Sequence, residues 1–264
     1  MKRFFLTTLL FSTIVMKAET IVIDGVLDEP EWANAFSISE FYQVSPFNLQ
    51  KSEDETLVYI FSNEDGIYVG FINKQSNSSM LSKKTLRDEM TSLSEKNAID
   101  IDFDGDGNKA YILAVNLGDS LFDAITIKTG DFKTDWDGDW IAKTQRHDGY
   151  WVSEFYLPWD LALMNQPQGN KRIIKYSVKR FKAKEQIWVS STGSMPSRPD
   201  FFEKLDSLEI DNYTKSKLNF FPYVSSNQNS VTKFEDNKIG AEIFYNSGTG
   251  RQINATFNPD FGQA

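Results

Sequence analysis

Asp100, Asp102 and Asp104 fall at every second position of Ala98-Ile-Asp-Ile-Asp-Phe-Asp. Side chains at period two share one face of a strand, so these carboxylates would repel unless solvated, paired or bridged by a cation. From Asp102 the order D-x-D-x-D-G matches the opening of a calcium loop, and oxygen-only ligands suit that ion. An EF-hand also needs a glutamate at its twelfth position, here Leu113, and flanking helices where these flanks alternate like strands. The EF-hand is excluded. A non-helical calcium site from Asp102, Asp104 and Asp106 remains as an expectation, with a solvated turn as its plain alternative.

Phe132 to Trp140, Phe-Lys-Thr-Asp-Trp-Asp-Gly-Asp-Trp, is the densest meeting of acid and aromatic in the chain. A flat aromatic face can pack under the C–H groups of a sugar ring while carboxylates accept from its hydroxyls. Spacing of four puts Trp136 and Trp140 on the same side of an extended segment. They are candidate ligand-stacking residues, against tryptophans that simply fill the core. Glycosidic cleavage would need two carboxylates about 5 to 10 Å apart. The sequence has many acids and singles out no such pair, so no catalytic residue is assigned.

The elements that must position these groups read as β-structure. Ile99/Ile101/Phe103 and Tyr111/Leu113/Val115 alternate on either side of Asp104-Gly-Asp-Gly-Asn, a turn built from residues that tolerate left-handed backbone. That hairpin, Asn97 to Asn116, should turn its apolar face to a core. A second hairpin spans Glu55 to Asn73 around Asn63-Glu-Asp-Gly66. A long polar loop, Lys74 to Lys96, carries Arg87-Asp-Glu shortly before the central hairpin, and loops on rigid scaffolds often hold binding groups. Further short strands are expected at Leu121–Ile127, Trp140–Gln145, Tyr150–Leu157, Ile173–Phe181 and Ile187–Ser191. A strand at Thr20–Gly25, a short helix capped by Asp28 with Trp32 as its core anchor, and one helical turn at Pro158–Leu163 complete the list. The pattern predicts an antiparallel β-sandwich with one or two short helices, ending near Ile210.

The chain lacks cysteine, which excludes thiol catalysis and Cys-type metal sites. Its one histidine, His147, sits in a turn-like His-Asp-Gly, which argues against a Ser-His-Asp triad or a His-rich zinc site. A formal net charge of −9 argues against nucleic acid as a partner. Met1-Lys-Arg followed by the uncharged run Phe4–Met16 and Ala18 reads as a signal peptide over residues 1–18, so an exported protein of the periplasm or outer membrane is expected. Near the C-terminus Ile239, Ala241, Ile243 and Tyr245 share a face, as do Ile253, Ala255 and Phe257, opposite Gln252, Asn254 and Thr256. Outer-membrane barrel strands alternate in this way, although any half-buried strand does too, and closure needs about 8 strands.

Three blocks resemble a family 9 carbohydrate-binding module: Ile23-Asp-Gly-Val-Leu-Asp-Glu-Pro-Glu-Trp32, Ala98-Ile-Asp-Ile-Asp-Phe-Asp104 and Asp148-Gly-Tyr-Trp-Val-Ser-Glu-Phe-Tyr-Leu-Pro158. The stretches Leu218-Asn-Phe-Phe-Pro-Tyr-Val224 and Asn254–Gly262 resemble the start of a β-barrel domain of unknown function that follows such modules in exported bacterial proteins. The resemblance implies a sugar-binding sandwich over residues 19–213, linked to carbohydrate breakdown, with residues 214–264 starting an incomplete β-barrel. Members of the family hold sugar between two tryptophans, in regions that here read Thr91-Ser-Leu-Ser-Glu95 and Ser194-Met-Pro-Ser-Arg198, without tryptophan. The acid of the intervening strand carries over as Asp100. A rebuilt glycan site is therefore expected from Arg87, Asp100, Trp136 and Trp140. A plug or interaction domain of a transport barrel, and a glycoside hydrolase, are the alternatives.

Overall fold

A computed structural model describes residues 21–165, 169–213, 215–229, 234–247 and 251–258, with the side chains of 225–229 and 234–237 left out of the description. The expected signal peptide lies outside them. The structure is an antiparallel β-sandwich with two very short helical pieces and a separate three-stranded sheet.

The smaller face of the sandwich has strand order β1-β4-β5-β11-β10, formed by β1 (Phe36–Ile38), β4 (Thr56–Ser62), β5 (Gly66–Lys74), β10 (Ile141–His147) and β11 (Tyr150–Pro158). The larger face runs β3-β2-β13-β12-β6-β7-β8-β9. Its members are β2 (Tyr42–Ser45), β3 (Phe47–Lys51), β6 (Lys96–Asp102), β7 (Lys109–Asn116), β8 (Leu121–Ile127), β9 (Phe132–Lys133), β12 (Lys171–Lys182) and β13 (Ile187–Ser190). The first half of β12 also pairs with β14 (Asp206–Asp211). One apolar cluster fills the gap between the sheets. It takes Ile99, Ile101, Tyr111, Leu113 and Val115 from the central hairpin, and Val58, Ile60, Val69, Phe71 and Phe155 from the sheet opposite.

Both predicted hairpins form. In β4–β5 the turn is closed by Asn63 Oδ1, which accepts from the N–H groups of Asp65 (2.9 Å) and Gly66 (3.2 Å). Between β10 and β11 the turn is Asp148-Gly149, and His147, the last residue of β10, stacks on its partner Tyr150 across it with ring centres 4.5 Å apart. The N-terminal segment differs from expectation. Residues 21–25 form no strand, and Asp28 caps nothing: the 3₁₀ helix Pro30–Asn34 starts after Glu29, with no side-chain cap. Glu29 is drawn away, since its Oε2 accepts the indole N–H of Trp32 (2.9 Å) and its Oε1 accepts from Val22 N (3.1 Å). Trp32 is buried as expected. This segment lies over the outer face of the smaller sheet. There Leu27 approaches Gly70 so closely that a Cβ would meet it at 2.6 Å, and Glu154 Oε2 accepts from Asp24 N and Gly25 N, both at 3.0 Å. Pro158–Leu163 contains turns and no helix; the second helical piece is α1 (Phe201–Lys204).

The C-terminal strands β15 (Lys217–Asn229), β16 (Phe234–Asn246) and β17 (Gln252–Phe257) form an open meander, with no closed barrel among the described residues. Their register pairs Phe220 with Ile243, Val224 with Ile239, Ile243 with Ala255 and Ala241 with Phe257. One face of this sheet is therefore continuously apolar. It is also exposed, at 76% for Val224, 71% for Ile239 and 75% for Phe257.

Candidate functional site

The outer face of the larger sheet carries a depression that its strand register explains. Lys179, Ala98, Ala114 and Phe122 are direct cross-strand partners from β12 to β8, and Ser177, Asp100, Ile112 and Ala124 form the next row. Three alanines in the middle leave the sheet low, and Met90, Phe122 and Trp188 pack around them. Thr126 pairs with Phe132 at the sheet edge. The result is a cleft of about 660 Å³, within the usual range for a small-ligand site.

Its walls come from two distant loops. Asp88, Glu89, Met90 and Thr91 stand on one side, and Met195, Pro196 and Ser197 on another, with Gly130, Phe132 and Thr134 closing the edge. The two stretches in which the family resemblance places its sugar-holding tryptophans, about Thr91 and about Met195, thus meet at one cleft. Trp188, which no motif marked, stands between them. Lining hydroxyls are supplied by Thr91, Thr126, Thr134 and Ser197.

Under the floor lies an ion pair. Lys179 Nζ is 2.7 Å from Asp100 Oδ1, with side chains only 6% and 0% exposed, and 5.9 Å from the ring centre of Trp188. The contact is charge pairing rather than an aligned hydrogen bond, and neither Asp100 oxygen has a hydrogen-bond partner. Burial pushes the Asp100 carboxyl above its ordinary range while the Lys179 ammonium draws it back. Asp100 is fully buried, so Lys179 is the member of the pair that lines the cleft.

The other expected residues lie outside the cleft lining, and two of them, Arg87 and Trp140, meet at Asp123. Trp140 is buried, stacked on Phe155 with ring centres 5.8 Å apart, and donates its indole N–H to Asp123 Oδ2 at 2.7 Å. Trp136 packs against the same core, 4.8 Å from Tyr111 between ring centres. Neither is among the residues that line the cleft. The spacing of four does put both on one side of the segment, and that side faces the core. Arg87 pairs with Asp123, lies 3.2 Å from Asp137 through Nε, and donates from Nη2 to the carbonyl of Gly138 at 3.0 Å.

Asp102 and Asp106 close local turns, whereas Asp104 holds the distant Asn165 and Arg172. Asp102 Oδ1 accepts from Asp104 N (3.1 Å) and Gly105 N (3.0 Å), and its Oδ2 accepts from Gly107 N (2.7 Å). Asp104 Oδ1 accepts from Asn165 N at 2.7 Å and faces Arg172 Nη1 at 3.4 Å. Asp106 accepts from Asn108 through both oxygens, at 3.0 and 2.9 Å. Among the described residues, the one group of three acids spaced closely enough to hold a cation is instead Asp88, Asp123 and Asp137, whose oxygens lie within 4.8 Å of one another.

Sequence reasoning missed Met90, Phe122, Phe132, Lys179, Trp188 and Met195. A signal was present: Ala98, Ala110, Ala114 and Ala124 all fall at outward positions of adjacent strands, which marks a low sheet surface. Finding the rim residues required the strand order.

No protein-family model matches the chain, and no curated protein is significantly similar to it. Solved structures are similar to it. One is a family 9 carbohydrate-binding module from Caldicellulosiruptor kristjanssonii in complex with glucose, at 13% identity over 73% of this chain and 91% of that one, with a TM-score of 0.48. Another is a family 9 module from the same organism in complex with cellotriose, at 14% identity over 74% and 91%, with a TM-score of 0.46.

Proposed function

We propose that the sandwich binds carbohydrate without cleaving it, in the cleft between Thr91, Trp188 and Met195. The observation that carries this reading is the cleft's composition. Trp188, Phe122 and Phe132 offer apolar faces to a sugar ring's C–H groups, while Lys179 and the hydroxyls of Thr91, Thr126 and Ser197 offer partners to its own hydroxyls. The meeting of the two loop stretches singled out by the family resemblance supports the same reading. Trp188 and Phe132 then take the part that Trp136 and Trp140 were expected to play. A glycan array followed by calorimetric titration tests it: at least one oligosaccharide binds the wild type, and Trp188→Ala weakens that binding. Absence of binding to any glycan, or binding indifferent to Trp188→Ala, rejects the reading.

We also propose that the chain is exported and that β15–β17 belong to an outer-membrane wall. The support is the apolar face that alternate residues form from Leu218 to Val224, from Ile239 to Tyr245 and from Ile253 to Phe257, opposite a mixed face where Asn219, Glu242, Asn254 and Thr256 stand beside Phe221 and Phe244. In water such a face is a liability, whereas in lipid it is required. Fractionation of cells with alkaline extraction tests this: outer-membrane retention is expected, and release of all the protein as a soluble species counts against it.

A further inference from the structure

Two walls of the cleft are tied to a single buried carboxylate. Asp123 of β8 is fully buried, and its Oδ2 accepts from Trp140 Nε1 (2.7 Å) and Gly138 N (3.1 Å) while pairing with Arg87. Its backbone N–H donates to Asp88 Oδ1 at 3.3 Å, and Asp88 N donates to the carbonyl of Leu121 at 2.9 Å. Asp88 is held with a left-handed backbone at φ +67°, a conformation that persists where neighbours over-determine it. The residues from Asp88 to Thr91 are one wall. Residues 130–134, which run on to Asp137 and Gly138, are the wall at the sheet edge.

Three carboxylates whose oxygens lie within 4.8 Å need a positive charge among them, most of all where one is buried and its Oδ1 has no hydrogen-bond partner. Arg87 supplies that charge. Its guanidinium touches Asp123 and the Gly138 carbonyl through Nη2 and Asp137 through Nε, so one rigid fork, on the residue that precedes Asp88, ties the start of one wall to the segment that continues the other. A lysine ammonium is a single point charge and has no such reach. We propose that Arg87 is a positioning residue: its guanidinium is the built-in cation of the Asp88–Asp123–Asp137 cluster and locks the two walls of the cleft together. The inference concerns the shape of the cleft and stands whatever the cleft binds.

Hydrogen exchange on the full chain tests it, comparing wild type, Arg87→Ala and Arg87→Lys, with thermal unfolding of the wild type in calcium and in chelator. The expected result is that Arg87→Ala speeds exchange in residues 88–91 and 130–138 together, by about tenfold or more, while the β6–β7 amides keep wild-type protection. Arg87→Lys restores protection to one wall at most. Millimolar calcium leaves the wild-type melting temperature unchanged. Opening of neither wall or only one in Arg87→Ala, full protection of both in Arg87→Lys, or a calcium-dependent rise in wild-type melting temperature would each overturn the assignment. If Arg87→Ala does not fold, Arg87→Lys and the calcium experiment still decide.

Discussion

Lys179 and Asp100 form a buried ion pair, 2.7 Å apart, directly beneath an aromatic cleft. The strand register creates it: Lys179 is paired with Ala98, and Asp100 sits two residues further along β6 on the same face. Removing one partner leaves the other charge buried and alone, which costs about 3–5 kcal/mol, whereas replacing both with apolar groups of similar volume costs far less. Lys179→Ala and Asp100→Ala should each lower the denaturant midpoint strongly, and Lys179→Met with Asp100→Leu should recover most of it. Additive losses in the double variant would show that the two charges are not coupled.

Trp188 and Trp140 should separate binding from stability. Trp188 lines the cleft, so Trp188→Ala should weaken glycan binding roughly tenfold to a hundredfold, about 1.4–2.8 kcal/mol, with a modest change in melting temperature. Trp140 is 4% exposed in the core, and Trp140→Ala should cost about 3–5 kcal/mol of stability. Titration calorimetry and chemical denaturation on the same two variants check both statements.

Glu154 should make stability fall as pH rises. Burial pushes its carboxyl up to about 7 from the ordinary 4.5, although the N–H groups of Gly25 and Asp24 draw it down. Between those values the folded state holds a proton that the unfolded chain has released. Its contribution is therefore full below pH 4.5 and lost as pH rises through about 7, a change on the order of 3 kcal/mol. Glu154→Gln should flatten this part of the curve, measured by urea unfolding from pH 4.5 to 8 at constant ionic strength.

The apolar face of the C-terminal sheet should govern association with lipid. Ile239→Lys or Val224→Lys should reduce recovery of the full chain with phospholipid vesicles by an amount equivalent to about 2–4 kcal/mol, with little effect from Asn254→Lys on the opposite face. Equal effects from the two faces would disprove a lipid-facing role. The partition is read by vesicle flotation.

The hairpin from Asn97 to Asn116 shows what the sequence by itself determined. Its alternation of Ile99, Ile101, Tyr111, Leu113 and Val115 fixes which residues face the core, because a slip of one position would turn every one of them outward. The sandwich class, the Asn63–Gly66 and Asp148–Gly149 turns, the polar loop before β6 and the buried Trp32 follow from similarly local rules. The same alternation places Asp100 on the face of β6 that is turned away from the core. The tertiary structure alone decided what Asp100 meets, since Lys179 is 79 positions away and reaches it only because β12 lies beside β6. It also decided which tryptophan stands at the cleft. Spacing places Trp136 and Trp140 on one side of their segment, but whether that side meets solvent or the opposite sheet depends on strand order. Local periodicity encodes the face of a strand, and only packing of distant strands determines what that face touches.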